Sequence, residues 1–135
     1  MSAKGNMNVV IAYYPILGYG LQMIPRTLEP ILKELAGQYP IITITGPRQS
    51  GKTTLCRAAF PDKPYVNLER PDIREFAASD PLGFLASHAD GAILDEIQRV
   101  PQLVSYLQTR VDERNEPGQF ILTGSQQFEV MTTIT

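Results

Sequence analysis

"ITGPRQSGKTTL" occupies residues Ile44 to Leu55, between an apolar stretch and an amphipathic one. The spacing Gly46-x-x-x-x-Gly51-Lys52-Thr53 is that of a loop built to hold phosphates. Gly46 and Gly51 let the backbone turn sharply and approach a ligand with no Cβ in the way. Successive N–H groups then face inward as an anion-binding nest, reinforced by the positive end of the helix that follows. Pro47, Arg48, Gln49 and Ser50 fill the loop, with Arg48 and Gln49 at positions the pattern leaves free. Lys52 reaches the outer phosphates as a point charge, the Thr53 hydroxyl ligates Mg²⁺, and the nucleotide-binding segment runs through Thr54. The pattern needs a strand before it and a helix after it.

Both are legible. "PIITIT", from Pro40 to Thr45, reads as a short buried strand, and Lys52 to Ala59 reads as a helix closed by Phe60-Pro61. Upstream, Ile24, Leu28, Ile31, Leu32 and Leu35 recur at helical spacing. Thr27 stands where an N-cap would, Pro30 in the first turn, and Gly37 as a stop. Downstream, "PYVNLE" (Pro64 to Glu69) is a second strand, and Asp72 with Glu75 has capping-box spacing for a short helix. Asp80-Pro81 restarts a helix through Leu85. "GAILDE" (Gly91 to Glu96) is a third strand. Leu103, Leu107 and Val111 mark a helix opening at Pro101, and "QFILTGS" (Gln119 to Ser125) is a fourth strand. This alternation predicts an α/β fold with a parallel sheet covered on both faces.

The third strand ends in two carboxylates. Asp95 is placed to hold magnesium, and Glu96 to orient and deprotonate a water attacking a γ-phosphate. Strand carboxyl ends are where ligands bind in such sheets. Thr123 and Ser125, after the fourth strand, are candidates for a polar sensor near the γ-phosphate. A turn whose hydroxyls cap the next helix is the alternative for those two.

The bulk composition sets limits. A chain of 135 residues with 43% hydrophobic and 19% charged residues suits one globular domain. A net charge of -2 provides no overall basic field for nucleic acid. The single cysteine, Cys56, cannot form an internal disulfide, and its helical position reads as a small buried hydrophobe. A reducing cytoplasm is the expected compartment. No stretch is apolar for the roughly 20 residues a bilayer demands. Residues 1–22, broken by Pro15, Gly18 and Gly20, read as a loosely ordered extension before a domain over 23–135.

The phrases "YPIITITGPRQSGKTTL", "YVNLERPDIREFAASDPLGFL", "AILDEIQRVPQL" and "FILTGSQQF" together resemble a family of prokaryotic AAA-type P-loop ATPases. The resemblance covers roughly residues 24 to 128. It implies a three-layer parallel-sheet P-loop NTPase core of the ASCE class, with sheet order five-one-four-three-two. It further implies the loop at Gly46 to Thr53 (Walker A), the magnesium aspartate Asp95 and catalytic glutamate Glu96 (Walker B), and a sensor in Thr123–Ser125. Members continue with a fifth strand and a C-terminal domain, so this chain reads as an incomplete core lacking that strand. Arg99, Arg110 and Arg114 lie in the half where an arginine finger would fall, and none is assigned.

The expectation is therefore Mg²⁺-dependent ATP binding and hydrolysis, with Lys52 and Glu96 as catalytic residues and Thr53 and Asp95 on the metal. The alternatives are a nucleotide-binding switch or scaffold without turnover, and a P-loop kinase acting on a small molecule. Glu96 argues against the kinase. In the implied sheet order, the strand Ile41–Thr45 is left with an unpaired edge, from which self-association or a protein partner is expected.

Overall fold

A computed structural model describes residues 8–12, 25–47, 51–114 and 116–124. In chain order the elements are β1 (Asn8–Ala12), α1 (Pro25–Ala36), β2 (Ile41–Thr45), α2 (Lys52–Ala59) and β3 (Tyr65–Asn67). Then follow α3 (Pro71–Ser79), α4 (Pro81–Ala86), β4 (Ala92–Asp95), a 3₁₀ turn (Ile97–Arg99), α5 (Leu103–Arg114) and β5 (Phe120–Gly124). The strands form one sheet in the order β1-β2-β5-β4-β3, with every neighbouring pair parallel.

Side chains alternate between the two faces of a strand, and both faces here are covered. Ile41, Leu94, Phe120 and Leu122 pack against residues of α3, α4 and α5, including Ala77, Phe84, Leu103 and Leu107. Ile42, Ile44, Ile93 and Ile121 face the other way, against Leu28 and Leu32 of α1 and Leu55, Cys56 and Ala59 of α2. Every residue of β2, β4 and β5 is buried, which explains their near-continuous apolar sequences. The expected α/β, three-layer, parallel-sheet core is the observed one. Its four expected strands stand in the implied order.

The front of the chain departs from expectation. Asn8–Ala12, inside the segment read as a loose extension, forms β1 and pairs with β2 along all five of its residues, from Asn8 opposite Ile41 to Ala12 opposite Thr45. The edge of β2 expected to be open is therefore hydrogen-bonded and offers no free edge for self-association. The fifth place in the sheet is held by a strand from the front of the chain.

Local details also shift. Helix α1 starts at Pro25, so Thr27 lies within it rather than capping it, and Pro30 sits inside the helix. Asp72 does not cap α3: Arg70 is the N-cap, and Asp72 in the first turn pairs with the Arg70 guanidinium at 3.0 Å. Asp80 does cap α4, accepting the Gly83 N–H at 3.1 Å. Pro71 and Pro81 each open a helix where a missing N–H costs nothing.

Gly91 leads the chain into β4 with φ +92°, and a Cβ there would stand 1.7 Å from the Gln119 carbonyl oxygen. That oxygen accepts the Ala92 N–H at 3.2 Å, so the close approach is part of the β4–β5 junction. Gly91→Ala combines left-handed backbone strain with a backbone clash and should cost about 3 kcal/mol. Urea unfolding followed by circular dichroism would measure the loss.

Candidate functional site

The carboxyl ends of β2, β4 and β5 and the start of α2 meet at one edge of the sheet. Strand β2 ends at Thr45, and the Gly46 N–H donates to the Gly124 carbonyl at 3.2 Å, tying the loop to the end of β5. Gly51, with φ 94° and ψ 8°, turns the chain into α2 in a left-handed conformation that a side chain would strain. The N-cap of α2 is Gly51, which has no side chain to accept from the helix's first N–H groups. Lys52 is only 5% exposed. Its ammonium donates to the carbonyls of Gly46 at 3.0 Å and Pro47 at 2.6 Å. A charge so buried is tolerable only with such partners. Arg48, Gln49 and Ser50 lie outside the described residues, as does Ser125.

Asp95 ends β4, also 5% exposed, and accepts three hydroxyl hydrogen bonds. Thr53 Oγ1 donates to its Oδ2 at 2.9 Å. The Tyr65 hydroxyl donates to the same oxygen, and the Thr123 hydroxyl donates to Oδ1. Thr123 Oγ1 also accepts the Glu96 N–H at 3.0 Å. Expected near a terminal phosphate, Thr123 is fully buried and links the Asp95 carboxylate to the Glu96 backbone N–H.

Glu96 has φ 63° and ψ 51°, the one non-glycine positive φ among the described residues. Such backbone is uncommon away from glycine, and strain of this kind concentrates at functional sites. It turns the chain out of β4 into the 3₁₀ turn. Gln98 Nε2 then donates to Glu96 Oε1 at 2.6 Å. At the rim, Arg99 pairs with Glu69 at 3.1 Å. Arg110 and Arg114 reach the Ala89 carbonyl, ahead of β4 and so at the opposite end of the sheet from Glu96.

Among the described residues, no cluster of three or more His, Cys, Asp or Glu could hold a metal alone. The donors that do adjoin are the Thr53 hydroxyl and the Asp95 carboxylate, both hard oxygens. That set suits Mg²⁺, which takes one or two protein oxygens and fills its shell with waters and substrate phosphates. The start of α2 and the buried lysine suit the phosphates themselves.

Residues 38–135 match the family described as AAA domain. The chain belongs to the AAA domain family. An uncharacterised protein of Mycobacterium bovis and one of Mycobacterium tuberculosis are each 32% identical to it over 95 residues, covering 70% of this chain. The match takes in 22% of each relative's length, so the chain spans about a fifth of the curated relatives it matches. No solved structure matches it. The AAA domain is thus a P-loop ATPase-like nucleotide-binding domain, and no helix among its described residues is long and apolar enough to cross a membrane.

Two contacts in the AAA domain were not readable from motifs. Tyr65 read only as a strand residue, yet its hydroxyl reaches Asp95 and its ring lies under the Arg57 guanidinium, 4.4 Å from the centroid. Burial first, then the hydrogen bond and charge of Asp95, push the Tyr65 phenol well up, so it stays a donor. Gln98 belongs to no spacing rule. Its contact with Glu96 is made across the turn that the left-handed Glu96 backbone opens.

Cys56 is fully buried on α2, as its position suggested. Burial, and then the negative charge of Asp95, push its thiol up to about 12, against a smaller opposing effect of Lys52. The thiol should ignore a thiol-reactive disulfide dye at pH 8 until denaturant is added. Because the unfolded thiol ionises first as pH rises, this residue's contribution to stability is intact below its ordinary value of 9.0 and is lost toward 12.

Proposed function

We propose that this AAA domain binds Mg·ATP and hydrolyses it, with Lys52 on the outer phosphates, Thr53 and Asp95 holding the cation, and Glu96 as the general base. The observation that carries the reading is the single hydrogen-bonded cluster joining Thr53 of the loop to Asp95, and through Thr123 to the Glu96 amide. It brings phosphate-binding and carboxylate-bearing elements into one rigid unit, and positioning is most of what phosphoryl transfer needs from a protein.

In this reading the N–H groups at the start of α2 and the Lys52 ammonium bind the phosphates. Gly46, Pro47, Arg48, Gln49, Ser50, Gly51 and Thr54 wrap them. Thr53 and Asp95 would hold magnesium, which would neutralise charge on the phosphates when bound. Glu96 takes a proton from the attacking water as that oxygen bonds to the γ-phosphorus and the bond to the ADP oxygen breaks. ATP as the nucleotide follows from the family. A reducing cytoplasm fits the lone, buried Cys56.

A second reading has its own observation. Gln98 donates to Glu96 Oε1 at 2.6 Å, which engages the carboxylate expected to act as base. A domain that binds nucleotide without turnover, as a switch or scaffold, fits that contact. The activity of the longer relatives is not assigned by either reading.

Titration with a fluorescent ATP analogue and a phosphate-release assay separate the possibilities. Lys52→Ala should weaken nucleotide binding by about tenfold or more, since a charge-assisted contact is removed. Lys33→Ala, on α1, should leave it unchanged. Glu96→Gln should retain Mg·ATP while turnover falls on the order of 100-fold or more. Parent-level turnover in Glu96→Gln would refute the base assignment. Tight binding with no turnover in the parent itself would favour the switch.

A further inference from the structure

We propose that Tyr65 is a positioning residue, whose hydroxyl fixes the Asp95 carboxylate so that Thr53 and Asp95 present their oxygens together to a divalent cation. This deepens the function proposed above and rests on the reading of Thr53 and Asp95 as the cation-holding pair.

The strand register makes the contact possible. In the parallel pairing of β3 with β4, Tyr65 stands opposite Ile93 and Asn67 opposite Asp95. Residues two apart on a strand share a face, so Tyr65 and Asp95 are diagonal neighbours on the α2 side. That diagonal spans roughly 7–8 Å, too far for a short side chain and within reach of a tyrosine. The hydroxyl meets Oδ2, the same oxygen that accepts from Thr53, while Thr123 holds Oδ1. The carboxylate is thereby tied at both oxygens from three elements: α2, β3 and β5. Arg57, on α2, lies over the Tyr65 ring in a cation–π contact.

The ring packs, partly buried, against the core on the α1 and α2 side. It is half-buried and borders a cavity of about 260 Å³ lined by Arg57, Phe60, Pro61, Lys63 and Ile93. Removing only its hydroxyl therefore leaves the packing in place, and Tyr65→Phe isolates the hydrogen bond. Residues that orient a metal ligand typically change metal affinity by about tenfold or more when altered.

Two measurements on the whole 135-residue chain test the proposal. In the first, binding of a fluorescent ATP analogue is measured in chelator and across a magnesium series, for the parent, Tyr65→Phe and Asp95→Asn. Tyr65→Phe should keep the metal-free affinity and shift the magnesium midpoint upward about tenfold. In the second, thermal unfolding without nucleotide or metal is compared for Tyr65→Phe, Asp95→Asn and the double variant. The two changes should be non-additive, because each removes the same hydrogen bond. A magnesium response lost in Asp95→Asn but unchanged in Tyr65→Phe would overturn the role of Tyr65 alone. A response unchanged in both would overturn the cation reading beneath it. Strict additivity in unfolding would show that the hydroxyl does not hold the carboxylate.

Discussion

One buried carboxylate organises this molecule. Asp95 draws hydroxyl donors from α2, β3 and β5, and Thr123 passes the connection to the Glu96 amide. An ionised group so far from water survives only with its acceptor sites filled, so the surrounding elements must hold those donors in place. The constraint works in both directions. The carboxylate needs the sheet to be in register, and the sheet's carboxyl edge is held in register by the carboxylate. The buried ammonium of Lys52, resting on the carbonyls of Gly46 and Pro47, imposes a matching demand on the loop.

Much of this was legible from local spacing. Gly46, Gly51, Lys52 and Thr53 act within eight residues of chain, so their pattern survives without knowledge of the fold. Asp95 and Glu96 were legible because two carboxylates end an apolar strand downstream of a phosphate-type loop. The helix restarting at Asp80-Pro81 also came through, since proline acts on its immediate neighbours.

What escaped depends on distance. Five residues, Asn8 to Ala12, are too few for periodicity to separate a strand from any other apolar run, and the prolines and glycines that follow obscured it. Only its pairing with Ile41–Thr45 reveals it. The hydrogen bond from Tyr65 depends on the register of β3 against β4, which no single segment encodes. Thr123 was noticed for its hydroxyl, but its bonds to Asp95 and the Glu96 N–H could not be read, because its face of β5 is fixed only once Ile121 is seen packed with α1 and α2. Asp72 misled for a related reason: its spacing to Glu75 fits a cap, but Pro71 takes the first helical position and moves the cap to Arg70.

The strand order also bears on how the site comes into being during synthesis. The last described strand, β5, inserts between β2 and β4. Before Phe120–Gly124 leaves the ribosome, the strand that joins β1–β2 to β3–β4 is missing from between them. Thr53 emerges on one side of that gap and Asp95 on the other. A nascent chain can thus carry every residue of the phosphate loop and both carboxylates and still have no pocket. Translation has to reach the final central strand first, and such late, long-range closure is the slow kind.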